Sequence, residues 1–162
     1  MCEGMEQRRV VITGIGTINP IGNSIEEYFH NLENGVSGAD TITAFDATKF
    51  SSRVACEVKH FDPSTIFERK ELRKYDRYAQ FAMVAATEAV EDANIDFEKI
   101  NLERVGVVWA SGVGGMQTFY DEVMGWAGGN GTPRFSPFFV PRLITDIAAG
   151  HISIKYGLMG PN

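Results

Sequence analysis

Between Tyr78 and Val90 the chain carries a single charge, Glu88, and that scarcity constrains the fold more than any other feature. Leu72, Tyr75, Ala79, Ala82, Ala86, Ala89 and Ala93 recur at intervals of three and four, the spacing of one helix face. With almost no charge on its remaining faces, such a helix is apolar nearly all round and must be covered on both sides. Its alanines let it lie close against a sheet. The segment that follows, "RVGVVWASG" (104–112), shows little alternation and reads as a strand buried on both faces. Continuous apolar strands joined by buried helices predict an α/β fold whose parallel sheet is covered on both sides, with a right-handed crossover.

The flanking sequence fits one domain of this class. "RRVVITGIG" (8–16) is a β-branched run ending in glycine, typical of a buried strand feeding a turn. Ser24 followed by Glu27 is a capping box that opens an amphipathic helix running toward Asn34-Gly35. Residues 36–52 read as a surface excursion and "RVACEV" (53–58) as a short strand, after which Asp62-Pro63 opens a short helix. "GGNGTP" (128–133) is expected to be a surface loop and "FSPFFVP" (135–141) an ordered aromatic loop, with Pro141 beginning the last helix. His151–Tyr156 is closed by Gly157, and Gly160-Pro161-Asn162 should turn the chain toward a buried strand. The 162 residues suffice for a domain that buries roughly 70% of its unfolded surface. Residues 1–7 read as a tag or disordered N-terminus and 8–162 as the domain itself.

Charge and cysteine content exclude several functions. A net charge of -6 argues against a nucleic-acid surface. No apolar run approaches the roughly 20 residues of a membrane span, and the polar N-terminus has no signal-peptide pattern. Cys2 and Cys56 form neither a metal spacing nor a disulfide framework, which points to a reducing cytoplasm. Of the three histidines, His30, His60 and His151, none has a metal-ligand partner four residues on, and none lies beside a serine or cysteine placed as a nucleophile. His151 is expected to be a hydrogen-bonded structural residue and Cys56 a core-strand thiol. No catalytic group and no metal site emerges.

Three stretches invite a binding role. "TGIGTINPIG" has Gly14 and Gly16 as in a dinucleotide fingerprint, but the third glycine position is Asn19 and Pro20 follows it. No helix can open tightly there to receive a pyrophosphate, so a structural strand-to-loop turn is the better reading. The glycines of "SGVGG" (111–115) let the backbone pass close to a ligand, a neighbouring strand or a partner subunit. "ERKELRKYDR" (68–77) sets Arg69, Lys70, Arg73, Lys74 and Arg77 against three acids. Lys70, Arg73, Lys74 and Arg77 recur at helical spacing and can line one edge, either as a solvated helix start or as a docking patch for an acidic partner. Positive charge in a helix's first turns is mildly unfavourable to its dipole, which favours a functional purpose.

"RRVVITGIGTINPIGNS", "RKELRKYDRYAQFAMVAATEAVEDAN", "VGVVWASGVGG" and above all "SPFFVPRLITDIAAGHISIKYGLMGPN" resemble the N-terminal part of the β-ketoacyl-[acyl-carrier-protein] synthase II family, the condensing enzymes of fatty-acid chain elongation. The resemblance covers about residues 6–162. It implies the thiolase-like fold, a layered αβαβα arrangement with a mixed sheet around a buried alanine-rich helix, of which 8–162 would be an incomplete N-terminal portion. In the family a "GPN" or "GPS" turn leads into a core strand, and the nucleophilic cysteine follows it at a helix N-terminus. Two catalytic histidines and a lysine lie further downstream. None of these matches a residue here, so the 162 residues alone are expected to be inactive and unstable as an isolated fold.

The resemblance implies acyl carrier protein as partner, a homodimer, and no organic cofactor or metal. Lys70, Arg73 and Lys74 match basic positions that meet the carrier, and Arg134 matches another in the glycine-rich loop. Val113 matches an acyl-pocket position often held by isoleucine, so its smaller side chain leaves room for a longer or branched chain. Phe139 matches an aromatic that lines the pocket from across the dimer. The alternative is a non-catalytic fragment that binds carrier protein or a synthase subunit.

Overall fold

The computed structural model describes residues 9–162. The expected N-terminal tail, residues 1–7, lies outside the described residues together with Arg8, and so does Cys2. The first helix, α1 (Ile25–Glu33), starts as its capping box predicts. The Ser24 hydroxyl accepts a hydrogen bond from the Glu27 backbone N–H at 3.1 Å. The reciprocal arm is displaced by one residue, since the Glu27 carboxylate accepts from the Asn23 N–H at 2.7 Å. Asn34 ends the helix and Gly35 takes a positive φ of 66°.

The stretch expected to be an excursion carries a strand, β1 (Ala39–Thr41), paired antiparallel with β2 (Val54–Cys56), Ala39 opposite Cys56 and Thr41 opposite Val54. "ADT" has no apolar alternation to announce a strand, so only its partner defines it. Lys59 and Asp40 form an ion pair of 2.7 Å beside the ribbon. The ribbon turns neither face fully inward, which leaves Cys56 exposed and not in the core as expected.

The helix at the centre, α2 (Arg77–Asp92), begins later than the periodicity implies. Asp76 caps it by accepting from the Tyr78 N–H, Tyr75 is extended, and Leu72–Lys74 forms a separate 3₁₀ turn. Every residue from Tyr78 to Val90 is buried or half-buried, as the lack of charge demands. One side packs on α5 (Ile147–Tyr156), where Ala79, Ala82 and Ala148 meet with almost no exposure and Met83 and Ile152 join Phe67. The small side chains let the two backbones approach.

The other side of α2 carries the glycine segment 13–17. A Cβ added at Gly14 or Gly16 would overlap the carbonyl oxygen of Ala89 or Ala85, so these glycines serve close packing against the helix. Glu88, the lone charge of the stretch, accepts from the N–H groups of Thr17 at 2.8 Å and Ile25 at 2.7 Å. Asp92 accepts from Ile15 N–H at 2.8 Å. Each carboxylate satisfies backbone donors that no ladder reaches.

Neither 8–16 nor 104–112 forms a strand ladder among the described residues, where β1–β2 is the only sheet. This corrects two expected strands. A β-branched run supplies one side of a ladder, and the partner must come from elsewhere. Val10, Ile12 and Val108 are accordingly 90%, 83% and 97% exposed. The second run does find the beginning of a partner. Val107 N–H donates to the Pro161 carbonyl at 2.9 Å and Gly160 N–H to the Val105 carbonyl at 3.1 Å, so the C-terminal turn runs alongside 105–107 in the same direction. Gly106 and Gly160 permit that approach, because a Cβ at either would strike the opposite backbone.

Two further helices complete the chain. α3 (Met116–Ala127) leads into the exposed loop 128–133, and α4 (Phe139–Leu143) packs against α3. Pro141 lies inside α4 and does not begin the last helix. It is tolerated because the first-turn N–H groups of a helix have no internal acceptor. α5 ends where expected: Gly157 adopts a left-handed φ of 67° and Leu158 N–H donates to the Ser153 carbonyl at 2.9 Å.

Candidate functional site

The basic run forms a compact turn with an inside and an outside. Phe67 is buried, its ring lies 4.6 Å from that of Tyr75, and Leu72 packs against the same cluster. Glu71 and Lys74 N–H groups donate to the Glu68 and Glu71 carbonyls, each at 2.8 Å. With these anchors inward, Lys70, Arg73 and Lys74 stand exposed, and among the described residues none of them forms an ion pair.

Arg77, expected on the same edge, is withdrawn from it. Its Nη2 donates to the Val58 carbonyl at 2.9 Å and its guanidinium lies 5.3 Å over the Phe81 ring. Because α2 starts only at Arg77, Arg73 and Lys74 occupy the last positions of a 3₁₀ turn. There the carbonyl ends favour positive charge, so the expected dipole penalty does not apply to them.

His151 borders this turn. Its ring packs 4.4 Å from Tyr75, and this aromatic contact takes the place of the expected hydrogen bond. Burial, followed by the Lys74 charge, holds its imidazole below the usual value. Burial and the Glu71 charge raise the Tyr75 hydroxyl. Tyr78 is pushed up to about 12 by burial and by Asp76 and Asp146, and its hydroxyl donates to the Ile144 carbonyl. Sequence reasoning missed Asp76. Its buried carboxylate accepts from the Thr118 hydroxyl as well as from the Tyr78 N–H, tying the start of α2 to α3. An aspartate just before the apolar helix was the available signal.

Arg134 is exposed in its loop and lines a different cavity, about 400 Å³, with Asp121, Glu122, Trp126 and Asn130 among its walls. Val113 is 58% exposed. The glycines after it are seated on α4: a Cβ at Gly114 or Gly115 would overlap the Leu143 or Arg142 carbonyl oxygen. The close backbone neighbour of "SGVGG" among the described residues is thus a helix end, which was not among the ligand, strand or partner subunit expected. Phe139 opens that same helix and stacks on Phe135 at 5.2 Å and Phe119 at 6.3 Å. Val113 precedes the glycines that meet the Arg142–Leu143 end of α4, and Phe139 stands at its other end. No cluster of three metal-ligating side chains occurs among the described residues, and none of their helices is long and apolar enough to cross a membrane.

This arrangement of helices is that of a ketosynthase. A solved structure of the ishigamide ketosynthase/chain length factor superposes with a TM-score of 0.81 at 30% identity, over 95% of this chain and 38% of that one. A type II polyketide synthase acyl-carrier protein in complex with its ketosynthase matches at 0.75 and 24% identity, over 94% and 40%, which speaks to the fold alone. The α/β elements are therefore the N-terminal part of the thiolase-like fold. The 3-oxoacyl-[acyl-carrier-protein] synthase 2 of Coxiella burnetii is 44% identical over 161 residues, 98% of this chain and 38% of its own length. The model of the beta-ketoacyl synthase N-terminal domain matches residues 7–162, and the chain belongs to that family. It spans little more than a third of the length of such relatives.

Proposed function

We propose that these residues are the N-terminal part of a condensing enzyme that lengthens fatty-acyl chains, and that they contribute carrier docking and acyl-pocket walls. In the full reaction a cysteine thiolate takes an acyl group from acyl carrier protein as a thioester. Malonyl carrier protein then loses CO2, and the carbanion formed attacks the acyl-enzyme carbonyl. The thiolate leaves, and the product is a 3-oxoacyl carrier protein two carbons longer. The described residues offer no group for that chemistry. Cys56 sits on an exposed strand and His151 packs on Tyr75, so in this reading neither serves as the nucleophile or its histidine partner.

The observation that carries the proposal is the triad Lys70, Arg73 and Lys74, which stands outward and forms no ion pair among the described residues, in a chain of net charge -6. Acyl carrier protein is acidic, and such a patch steers its approach. Arg134 supplies a further cation from the loop. Val113 lines the acyl pocket, where each buried CH2 contributes about 0.8 kcal/mol, and Phe139, stacked between the exposed Phe119 and Phe135, lines that of the second subunit of a homodimer. A cytoplasmic enzyme without nucleic-acid or membrane partners suits the acidic composition.

The test is titration of the full-length protein with holo-acyl carrier protein at low and moderate salt. Reversing the triad (K70E, R73E, K74E together) should weaken binding by at least about tenfold and flatten its salt dependence. Unchanged affinity would sink the docking role.

A further inference from the structure

Asp76 and Thr118 are 5% and 3% exposed, and Thr118 is the one buried residue of α3 among the described residues. The Thr118 hydroxyl donates to one oxygen of the Asp76 carboxylate, while the other oxygen caps α2 by accepting from the Tyr78 N–H. The Tyr78 hydroxyl in turn donates to the Ile144 carbonyl, just past the end of α4. Since α3 packs on α4, these side chains fasten the start of α3 and the end of α4 to the start of α2. The backbone beside Val113 is seated in this clamp. A Cβ at Gly114 would overlap the Leu143 carbonyl oxygen, and one at Gly115 would come within 3.0 Å of the Asp76 carboxylate. The Val113 carbonyl accepts from the Ser111 hydroxyl at 2.7 Å, and Ser111 and Tyr78 share the lining of a cavity of about 250 Å³.

We propose that Asp76, Thr118 and Tyr78 are positioning residues that set the acyl-chain length the enzyme accepts, by fixing the backbone that bears Val113 in one subunit's pocket and Phe139 in the other's. The proposal rests on the acyl-pocket reading of those two residues and adds what holds them in place. Residues 111–115 belong to no helix or strand, so the wall they form has no ladder of its own to stiffen it. An apolar wall tells one chain length from the next only if it does not yield to the extra methylenes. Capping α2 takes one carboxylate oxygen, and a cap works at the surface. Burying the second oxygen on Thr118 costs desolvation, and among the described residues Asp76 forms no ion pair to offset it. What the buried bond adds is direction, because satisfied polar contacts in a core fix one arrangement.

The experiment assays full-length protein with acyl carrier protein loaded with saturated chains from hexanoyl to octadecanoyl. The readout is the ratio of kcat/KM for the preferred chain to that for the next longer even-numbered one. Partial loss of the fold lowers both rates alike and leaves this ratio unmoved, so the ratio separates positioning from stability. Thr118→Val keeps the shape and removes the donor, and Tyr78→Phe removes the bond to Ile144. Each should lower the ratio by about fivefold. Thr118→Ser, which retains the hydroxyl, should hold it within about twofold of the wild type. If the ratio is unchanged in both Thr118→Val and Tyr78→Phe, the clamp is structural only and the proposal is wrong, even where the melting temperature falls. A shift in Thr118→Ser as large as that in Thr118→Val also overturns it, because the hydrogen bond would not be the cause. Val113→Phe tests the underlying reading separately. If it leaves the chain-length profile as in the wild type, Val113 is not a pocket wall and the clamp proposal falls with that reading.

Discussion

His151 makes one part of the stability depend on pH. Burial and the neighbouring Lys74 hold its imidazole below the ordinary value of 6.5, so on acidification the unfolded chain takes up the proton before the folded one does. This contribution is complete above 6.5 and is lost as the pH falls from there through the lowered value of the folded chain. Thermal melts at about pH 7.5 and about pH 5.5 should show a larger drop in Tm for the wild type than for His151→Gln. Equal drops would mean that the ring is not held neutral. At this scale the sequence reveals residue types and hides their partners. The charge run shows four cations at helical spacing. Nothing in it says that Arg77 will turn to the Val58 carbonyl and the Phe81 ring, or that Lys70, Arg73 and Lys74 will stand exposed. Val58 is remote from Arg77 in sequence, and the choice between pairing and exposure is made by the fold.

Among the elements, α1, α2, α5 and the short strand β2 within 53–58 were legible, whereas α3, α4 and β1 were not. Ser24 and Glu27 announce α1 because capping is local, and Gly157 announces the end of α5 for the same reason. The runs 8–16 and 104–112 have strand composition, yet a strand exists only through a ladder, and local sequence cannot supply one. β1 was missed for the converse reason, since its partner alone makes "ADT" a strand. What the glycine segment does is fixed by α2. A Cβ at Gly16 meets the backbone carbonyl of Ala85, which cannot yield as a flexible side chain would. Gly16→Ala should therefore destabilise the fold by more than about 2 kcal/mol in urea unfolding. Gly112→Ala, with open space around the site, should be nearly neutral. A neutral Gly16→Ala would show that the segment does not lie on the helix as described.

At the scale of the molecule, the core built by α2 and α5 coexists with apolar edges that nothing covers among the described residues. Val10, Ile12 and Val108 form no ladder and are largely in solvent, and surfaces of this kind associate. The 162-residue chain by itself should bind a hydrophobic dye and sediment as concentration-dependent oligomers. A dye-negative monomer with a cooperative melt would refute this. The pairing of 105–107 with 160–161 also has a consequence in time. The contact cannot form until the chain has passed through α3, α4 and α5 and reversed at Gly157. Closing so long a loop adds only a slowly growing entropy cost, but a ribosome must first make the intervening segment. At about 5–20 residues per second, the Val105–Trp109 stretch waits roughly 3–10 s for its partner. In those seconds it is a natural target for chaperones that hold nascent apolar segments.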